Sequence, residues 1–168
     1  MRKNFYSLTL SELVALMEQH GQKRFRAEQL FRWIYVHRQT DFAQMTNISK
    51  DFRDELPKLL DLSLPEVVRR QLSQDGTKKY LFKVGSDKTI ESVLIPSEGR
   101  RTLCVSSEVG CNMACQFCYT GKQKLQQRLR TDEIVGQLVQ AQLLQEEDER
   151  ISNIVFMGMG EPLDNCEA

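Results

Sequence analysis

The sequence lacks any long apolar run. The longest, Leu13 to Met17, has five residues, against about 20 for a membrane-spanning helix. Its first residues, Met1-Arg2-Lys3-Asn4-Phe5, lead into no apolar stretch of the secretory kind. No internal repeat and no low-complexity tract is present, which excludes solenoid and array architectures. A net charge is missing too: 23 basic residues balance 23 acidic ones. These absences predict a soluble, cytoplasmic protein.

What is present is ordinary globular material. Of 168 residues, 40% are apolar and 27% charged, the balance of a chain that buries a core. The length suits one domain or parts of two. The charge is unevenly spread: +4 over residues 1–38, +5 over 100–130 and −8 over 131–168. Two basic blocks in a neutral chain fit a polyanion partner or, equally, solvated helix faces.

Residues 1–64 read as a helical domain. Thr9 is a candidate cap with Glu12 completing a capping box. Leu10, Leu13, Val14 and Met17 follow at helical spacing, and Gly21 is a plausible stop. A second helix is expected over about 26–38 and a third over about 49–60, starting at Ser49. Arg24, Arg26, Arg32 and Arg38 lie on or beside the second. They suit a phosphate backbone or simply a solvated face.

The texture changes near Pro65. Segments 66–73, 78–84 and 89–95 read as strands, with Asp75-Gly76 as a hairpin turn. This defines a small β segment over 65–100, with a junction at 97–101. Residues 102–109 alternate with period two. Leu103, Val105, Ser107 and Val109 point one way, and Thr102, Cys104, Ser106 and Glu108 the other. Thr131 is a candidate cap for a helix reaching about 146, with Ile134, Val135, Leu138, Val139 and Leu143 as its apolar face. Residues 153–159 form an apolar run of the kind buried in a parallel sheet. Strand, loop, helix and strand make one βαβ unit over 101–168. Two parallel strands do not stand alone, so this unit predicts the start of a larger α/β domain.

The cysteines carry the chemistry. Four of five, Cys104, Cys111, Cys115 and Cys118, fall within fifteen residues; Cys166 stands apart and reads as incidental. The spacing from Cys111 is C-x₃-C-x₂-C. Three thiolates on one loop suit three irons of a 4Fe–4S cluster, with one iron left open. A zinc site with Cys104 as fourth ligand, or plain buried thiols, are the other readings of the same spacing. The loop and the segment Gly158-Met159-Gly160-Glu161-Pro162 both fall at C-terminal strand ends, where α/β architectures place their ligands.

The loop, with Phe117 before its last cysteine, resembles the radical S-adenosylmethionine (SAM) superfamily. Three longer stretches resemble the RlmN/Cfr family of ribosomal RNA adenine methyltransferases: Leu103 to Cys111, Phe117-Cys118-Tyr119-Thr120-Gly121, and Asn153 to Leu163. Phe25-Arg26-Ala27, Trp33-Ile34, Asp75 to Lys79 and Ile90 to Pro96 fit as well, so the resemblance covers essentially the whole chain. One element departs from it: where the family runs Gln-Gly after Thr-Gly, this sequence has Gln123-Lys124.

The resemblance implies a radical SAM (β/α)6 partial barrel, incomplete here. It implies that Cys111, Cys115 and Cys118 ligate the 4Fe–4S cluster and that Gly160 and Glu161 contact S-adenosyl-L-methionine. It implies methylation of adenine carbon 2 in 23S rRNA and tRNA through a methyl-cysteine, with carbon 8 the alternative. In that cycle Cys104 would be the resolving cysteine, forming a disulfide, and Glu91 the base. An electron donor such as flavodoxin or ferredoxin would serve the cluster. The family's methyl-carrying cysteine lies beyond these residues, so the chain alone is expected to bind RNA or a cluster without turning over.

Overall fold

The computed structural model describes residues 2–146 and 149–168. They form two compact units, one ending at Ser63 and the other running from Leu64 to Ala168. No helix among the described residues is long and apolar enough to cross a membrane.

The first unit is helical, as its periodicity implies. Strand β1 (Lys3–Asn4) leads to α1 (Leu10–Gln19), α2 (Phe25–Tyr35) and α3 (Lys50–Leu59), and β2 (Leu60–Asp61) pairs parallel with β1. The capping box forms: the Glu12 amide donates to Thr9 Oγ1 at 3.3 Å, and the Thr9 amide donates to the Glu12 carboxylate at 2.8 Å. Leu13 and Met17 of α1 and Leu30 and Ile34 of α2 are buried. Leu10, expected on the apolar face, is 36% exposed. Helix α2 stops at Tyr35, short of the expected 38, and Arg38 adopts a positive φ of 54°. Ser49 occupies the N-cap of α3 without a side-chain bond to it. Arg24 pairs with Glu28, and Arg26 donates to Gln29 and to the Asn47 carbonyl, so these two cations are partly committed within the unit.

The second unit is built on a five-stranded sheet in the order β3-β4-β5-β6-β9. Its strands are β3 (Glu66–Leu72), β4 (Lys78–Val84), β5 (Lys88–Ser97), β6 (Arg100–Cys104) and β9 (Asn153–Val155). Two shorter strands, β7 (Glu108–Val109) and β8 (Gln127–Arg128), pair separately, and α4 (Thr131–Leu143) precedes β9. The first four strands of the sheet are antiparallel neighbours; β6 and β9 are parallel. The turn at Asp75-Gly76 forms as expected, with Gly76 at φ 82° and Asp75 Oδ1 accepting from the Thr77 amide.

The structure corrects several expectations. The junction expected at 97–101 is a hairpin turn: Ser97 pairs with Arg100, and β5 and β6 belong to one sheet. Residues 65–100 therefore share a unit with residues 101–168, and the break between units lies at Ser63/Leu64. The single strand expected over 102–109 is interrupted after Cys104. Its backbone finds other partners there. The Gln137 amide accepts from Ser106 N and donates to Ser106 O, both at 2.9 Å, replacing a neighbouring strand. Alternation is lost with it, and Ser106, Ser107, Glu108 and Val109 are all buried.

Helix α4 begins at Thr131, with Arg130 rather than Thr131 at the cap; the Glu133 carboxylate accepts from the Arg130 amide at 2.9 Å. It ends at Leu143, not near 146. Its fully buried positions are Glu133, Gly136, Gln137 and Ala141, while Ile134 and Leu138 pack at the margin of the core. The strand expected over 153–159 is regular only to Val155. Ile154, Phe156 and Met157 are 47%, 48% and 80% exposed, because β9 is the outermost strand of the described sheet.

The core of this unit lies between α4 and one sheet face. Tyr80 and Phe82 of β4, Ile90 and Leu94 of β5, Leu103 of β6 and Ala141 of α4 form it. The alternate residues, among them Lys79, Leu81, Glu91, Val93 and Cys104, point to the opposite face by the period of two.

Candidate functional site

The cysteine loop hangs between β7 and β8. It enters at Gly110, whose φ of 82° only glycine adopts freely. A Cβ there would lie 2.2 Å from the Lys124 carbonyl oxygen, so the two ends of the loop touch backbone to backbone. The Cys111 amide donates to the Gln123 carbonyl at 3.2 Å and closes the same end. Lys124, where the sequence departs from the family pattern, contacts Gly110 through its backbone and leaves its side chain exposed.

Cys111, Cys115 and Cys118 are half-buried on this loop, and among the described residues all five cysteines are free thiols. The Cys118 amide donates to the Cys115 carbonyl at 3.1 Å, which folds the C-x₂-C segment into a turn. The Met113 amide lies 3.4 Å from Cys111 Sγ, an N–H···S contact of the kind that tunes cluster thiolates. As placed, the thiols do not converge: among the described residues no group of three His, Cys, Asp or Glu side chains is arranged to hold a metal ion. The donor set itself, three unpaired thiols within eight residues on a closed loop with an amide aimed at sulfur, fits an iron–sulfur cluster.

Cys104 ends β6, opposite Val93 of β5 and Val155 of β9. Burial pushes its thiol above the ordinary value of 9.0, and a hydrogen bond from the Met157 backbone partly opposes the shift. Glu91 lies on β5 and forms an ion pair with Lys79 at 2.8 Å, both side chains nearly half-exposed. An open cleft of about 570 Å³ brings Glu91, Lys79 and Lys88 together with Tyr119 and Thr120 of the cysteine loop and Met159 beyond β9. Cys166 is exposed, away from this cleft.

Gly160 and Glu161 form the turn after β9. Gly160 has φ 98°, and a Cβ on it would lie 2.6 Å from Glu108 Cβ. The Glu161 carboxylate accepts from the Leu163 amide at 3.1 Å and so caps the short 3-10 helix Pro162–Asn165.

Residues 3–62 match the family model described as the ribosomal RNA large subunit methyltransferase N-terminal domain. The chain is 58% identical over 165 residues to the dual-specificity RNA methyltransferase RlmN of Bdellovibrio bacteriovorus, covering 98% of itself and 41% of that protein. It is 51% identical to the RlmN of Geotalea uraniireducens, covering 98% of itself and 46% of that relative. Along nearly its whole length the chain is similar to a part of these RlmN proteins. It spans less than half the length of these curated relatives. The crystal structure of a radical SAM methyltransferase from Sphaerobacter thermophilus superposes with a TM-score of 0.88 at 40% identity, over 99% of this chain and 49% of that one.

In this RlmN-like chain, sequence reasoning missed two residues that the structure ties to the site. Lys79 reaches Glu91 because Lys79 and Glu91 occupy neighbouring strands of one hairpin. Glu108 reads as part of a polar strand face, yet its side chain is fully buried against Gly160. The Asp75-Gly76 turn joins β3 to β4, while Lys79 and Glu91 meet across β4 and β5, so no local signal marks either residue.

Proposed function

We propose that this chain is part of a radical SAM methyltransferase that methylates carbon 2 of adenine in 23S rRNA and tRNA through a methyl-cysteine intermediate. The observation that carries the reading is the cleft that joins Glu91 to the loop of Cys111, Cys115 and Cys118, on the sheet face that also bears Cys104. Cys111, Cys115 and Cys118 would hold the 4Fe–4S cluster, at the mouth of a partial (β/α)6 barrel begun by β6, α4 and β9. When bound, the cluster supplies the electron that cleaves S-adenosyl-L-methionine.

The chain's own residues then bind, orient and move protons. Gly160, lacking a Cβ, lets the turn lie directly against Glu108, and the Glu161 carboxylate suits the SAM ammonium. Glu91 takes the ring proton of the adduct, oriented by Lys79. Cys104 would resolve the adduct: its sulfur attacks the sulfur of the methyl-bearing cysteine, the S–S bond forms as the bond from that sulfur to the transferred carbon breaks, and the carbon takes up the proton that the Cys104 thiol gives up. Burial holds the Cys104 thiol above the ordinary 9.0. The basic block of residues 1–38 meets RNA phosphates, an interaction weakened by salt. A one-electron donor of the flavodoxin or ferredoxin kind and a cytoplasmic location complete the reading.

The test is anaerobic reconstitution with iron and sulfide. The wild-type chain and Cys166→Ala are expected to take up iron and to give an electron paramagnetic resonance signal that SAM perturbs. Cys115→Ala is expected to lose both. Stoichiometric zinc and no iron in the wild-type protein would overturn the proposal.

A further inference from the structure

Glu108 is a charged side chain with 0% exposure, held inside the second unit. Burying a carboxylate is costly unless its oxygens are engaged. One oxygen, Oε2, accepts from the Glu161 backbone amide at 3.0 Å. The other, Oε1, has no hydrogen-bond partner among the described residues; Arg128 Nε lies 3.7 Å from it, on the paired strand β8.

The surrounding contacts run to the same turn. The Ser107 and Glu108 amides both donate to the Met159 carbonyl, at 2.9 and 3.2 Å. Gly160 rests on the Glu108 side chain, where a Cβ would meet Cβ, Cγ and the backbone nitrogen within 2.8 Å. Arg128 donates through Nε to the Asp164 carbonyl at 2.7 Å and pairs with the Asp164 carboxylate at 2.9 Å. Asn165 Nδ2 ties the far end back to the carbonyls of Ser107 and Leu129, at 3.0 and 2.8 Å. The turn from Met159 to Asn165 is thus hung on Glu108 at its centre and on Arg128 and Asn165 beyond it.

We propose that Glu108 is a positioning residue for S-adenosylmethionine: its buried carboxylate sets the orientation of the Gly160–Glu161 peptide, and Arg128 is its counter-charge. The inference rests on the reading that Gly160 and Glu161 contact SAM. Glu108 itself touches only the turn. An apolar residue of similar size would fill the space but leave the Glu161 amide without its acceptor, free to rotate away from the ligand.

The test measures equilibrium dialysis of radiolabelled SAM into the reconstituted protein, alongside thermal midpoints. Glu161→Ala is expected to weaken SAM binding. Glu108→Ala is expected to weaken it roughly tenfold, the worth of one well-placed hydrogen bond. Glu108→Gln keeps an acceptor for the Glu161 amide, needs no counter-charge, and is expected to stay within about threefold of wild type. The double variant Glu108→Ala/Glu161→Ala is expected to bind no worse than its weaker parent, because the two act through one turn. Hydrogen exchange of the Glu161 amide is expected to speed up in Glu108→Ala and not in Glu108→Gln.

Each contrary result is distinct. Normal SAM affinity in a folded Glu108→Ala, with Glu161→Ala weakened, overturns the role of Glu108 and leaves the SAM turn standing. Normal affinity in Glu161→Ala overturns the SAM reading and this inference with it. Additive losses in the double variant also overturn it. Where Glu108→Ala does not fold, Arg128→Gln, at a half-exposed side chain, decides: weaker SAM binding supports the proposal and unchanged binding overturns it.

Discussion

Glu91 and Cys104 share one face of the five-stranded sheet, because Val93, two residues beyond Glu91 on β5, is the register partner of Cys104 on β6. A strand turns its side chains to alternate faces, and directly paired residues of neighbouring strands share a face. Ser92, between Glu91 and Val93, points the other way and donates from its hydroxyl to Gln137 of α4 at 2.7 Å. The same register therefore gives α4 one face and leaves the proposed base and the proposed resolving cysteine on the other. A slip of one residue between β5 and β6 would separate them.

The partial burial of Cys104 is testable by alkylation. Its thiol titrates above 9.0, and only the thiolate reacts. Iodoacetamide at neutral pH is expected to modify exposed Cys166 well before Cys104, as read by peptide mass spectrometry in the cluster-free protein. The rate at Cys104 is expected to keep rising as pH passes 9.0. Equal rates at the two sites would contradict its partial burial.

Gly110 and Gly21 separate two costs. Both have positive φ, 82° and 68°, but a Cβ at Gly21 meets open space while one at Gly110 runs into the Lys124 carbonyl. Gly21→Ala is expected to cost about 1 kcal/mol, from backbone strain alone. Gly110→Ala adds a steric clash with backbone and is expected to cost about 3 kcal/mol or more. Urea unfolding of the two variants checks the order. Equal midpoints would show that the loop ends yield freely.

Gln137 stands in for a strand. Its amide serves Ser92, both backbone groups of Ser106 and the Glu133 carbonyl, all in the interior. Gln137→Leu keeps the bulk and removes every bond, leaving buried partners unpaired at about 1–3 kcal/mol each before relaxation. A loss of at least about 2 kcal/mol in urea unfolding is expected. A loss under about 0.5 kcal/mol would mean that water replaces the amide.

Glu149 gives the acid dependence. Hydrogen bonds from Lys78, at 3.0 Å, and Arg101, at 2.8 Å, hold its carboxyl below the ordinary 4.5. A depressed carboxyl in the folded state contributes stability above the ordinary value and loses it as pH falls through its own. Thermal midpoints of the wild type are expected to fall below pH 4.5 more steeply than those of Glu149→Gln, and the two curves to converge at low pH. Parallel curves over that range would show that the pair contributes nothing.

Local chemistry made much of this molecule legible. The capping box at Thr9 and Glu12, the turn at Asp75-Gly76 and the three antiparallel strands appear where composition and spacing put them. The strand over 102–109 does not, because a glutamine distant in sequence replaces its neighbour. Ile154, Phe156 and Met157, all exposed, read as core by composition, since hydropathy reports what a residue prefers and not which strand it lies beside.

By itself, the sequence determined the chemical parts: three thiols at C-x₃-C-x₂-C, a glycine–glutamate strand end, and a helical segment distinct from a β one. These depend on residue type and short spacing, which chain connectivity preserves. Tertiary structure alone decided which parts meet. It placed Glu91 in a cleft with the cysteine loop, gave Lys79 to Glu91, and buried Glu108 beneath the Gly160–Glu161 turn, 53 residues further along the chain. Those meetings follow from sheet register and strand order, which pairing between distant segments sets and no local pattern encodes.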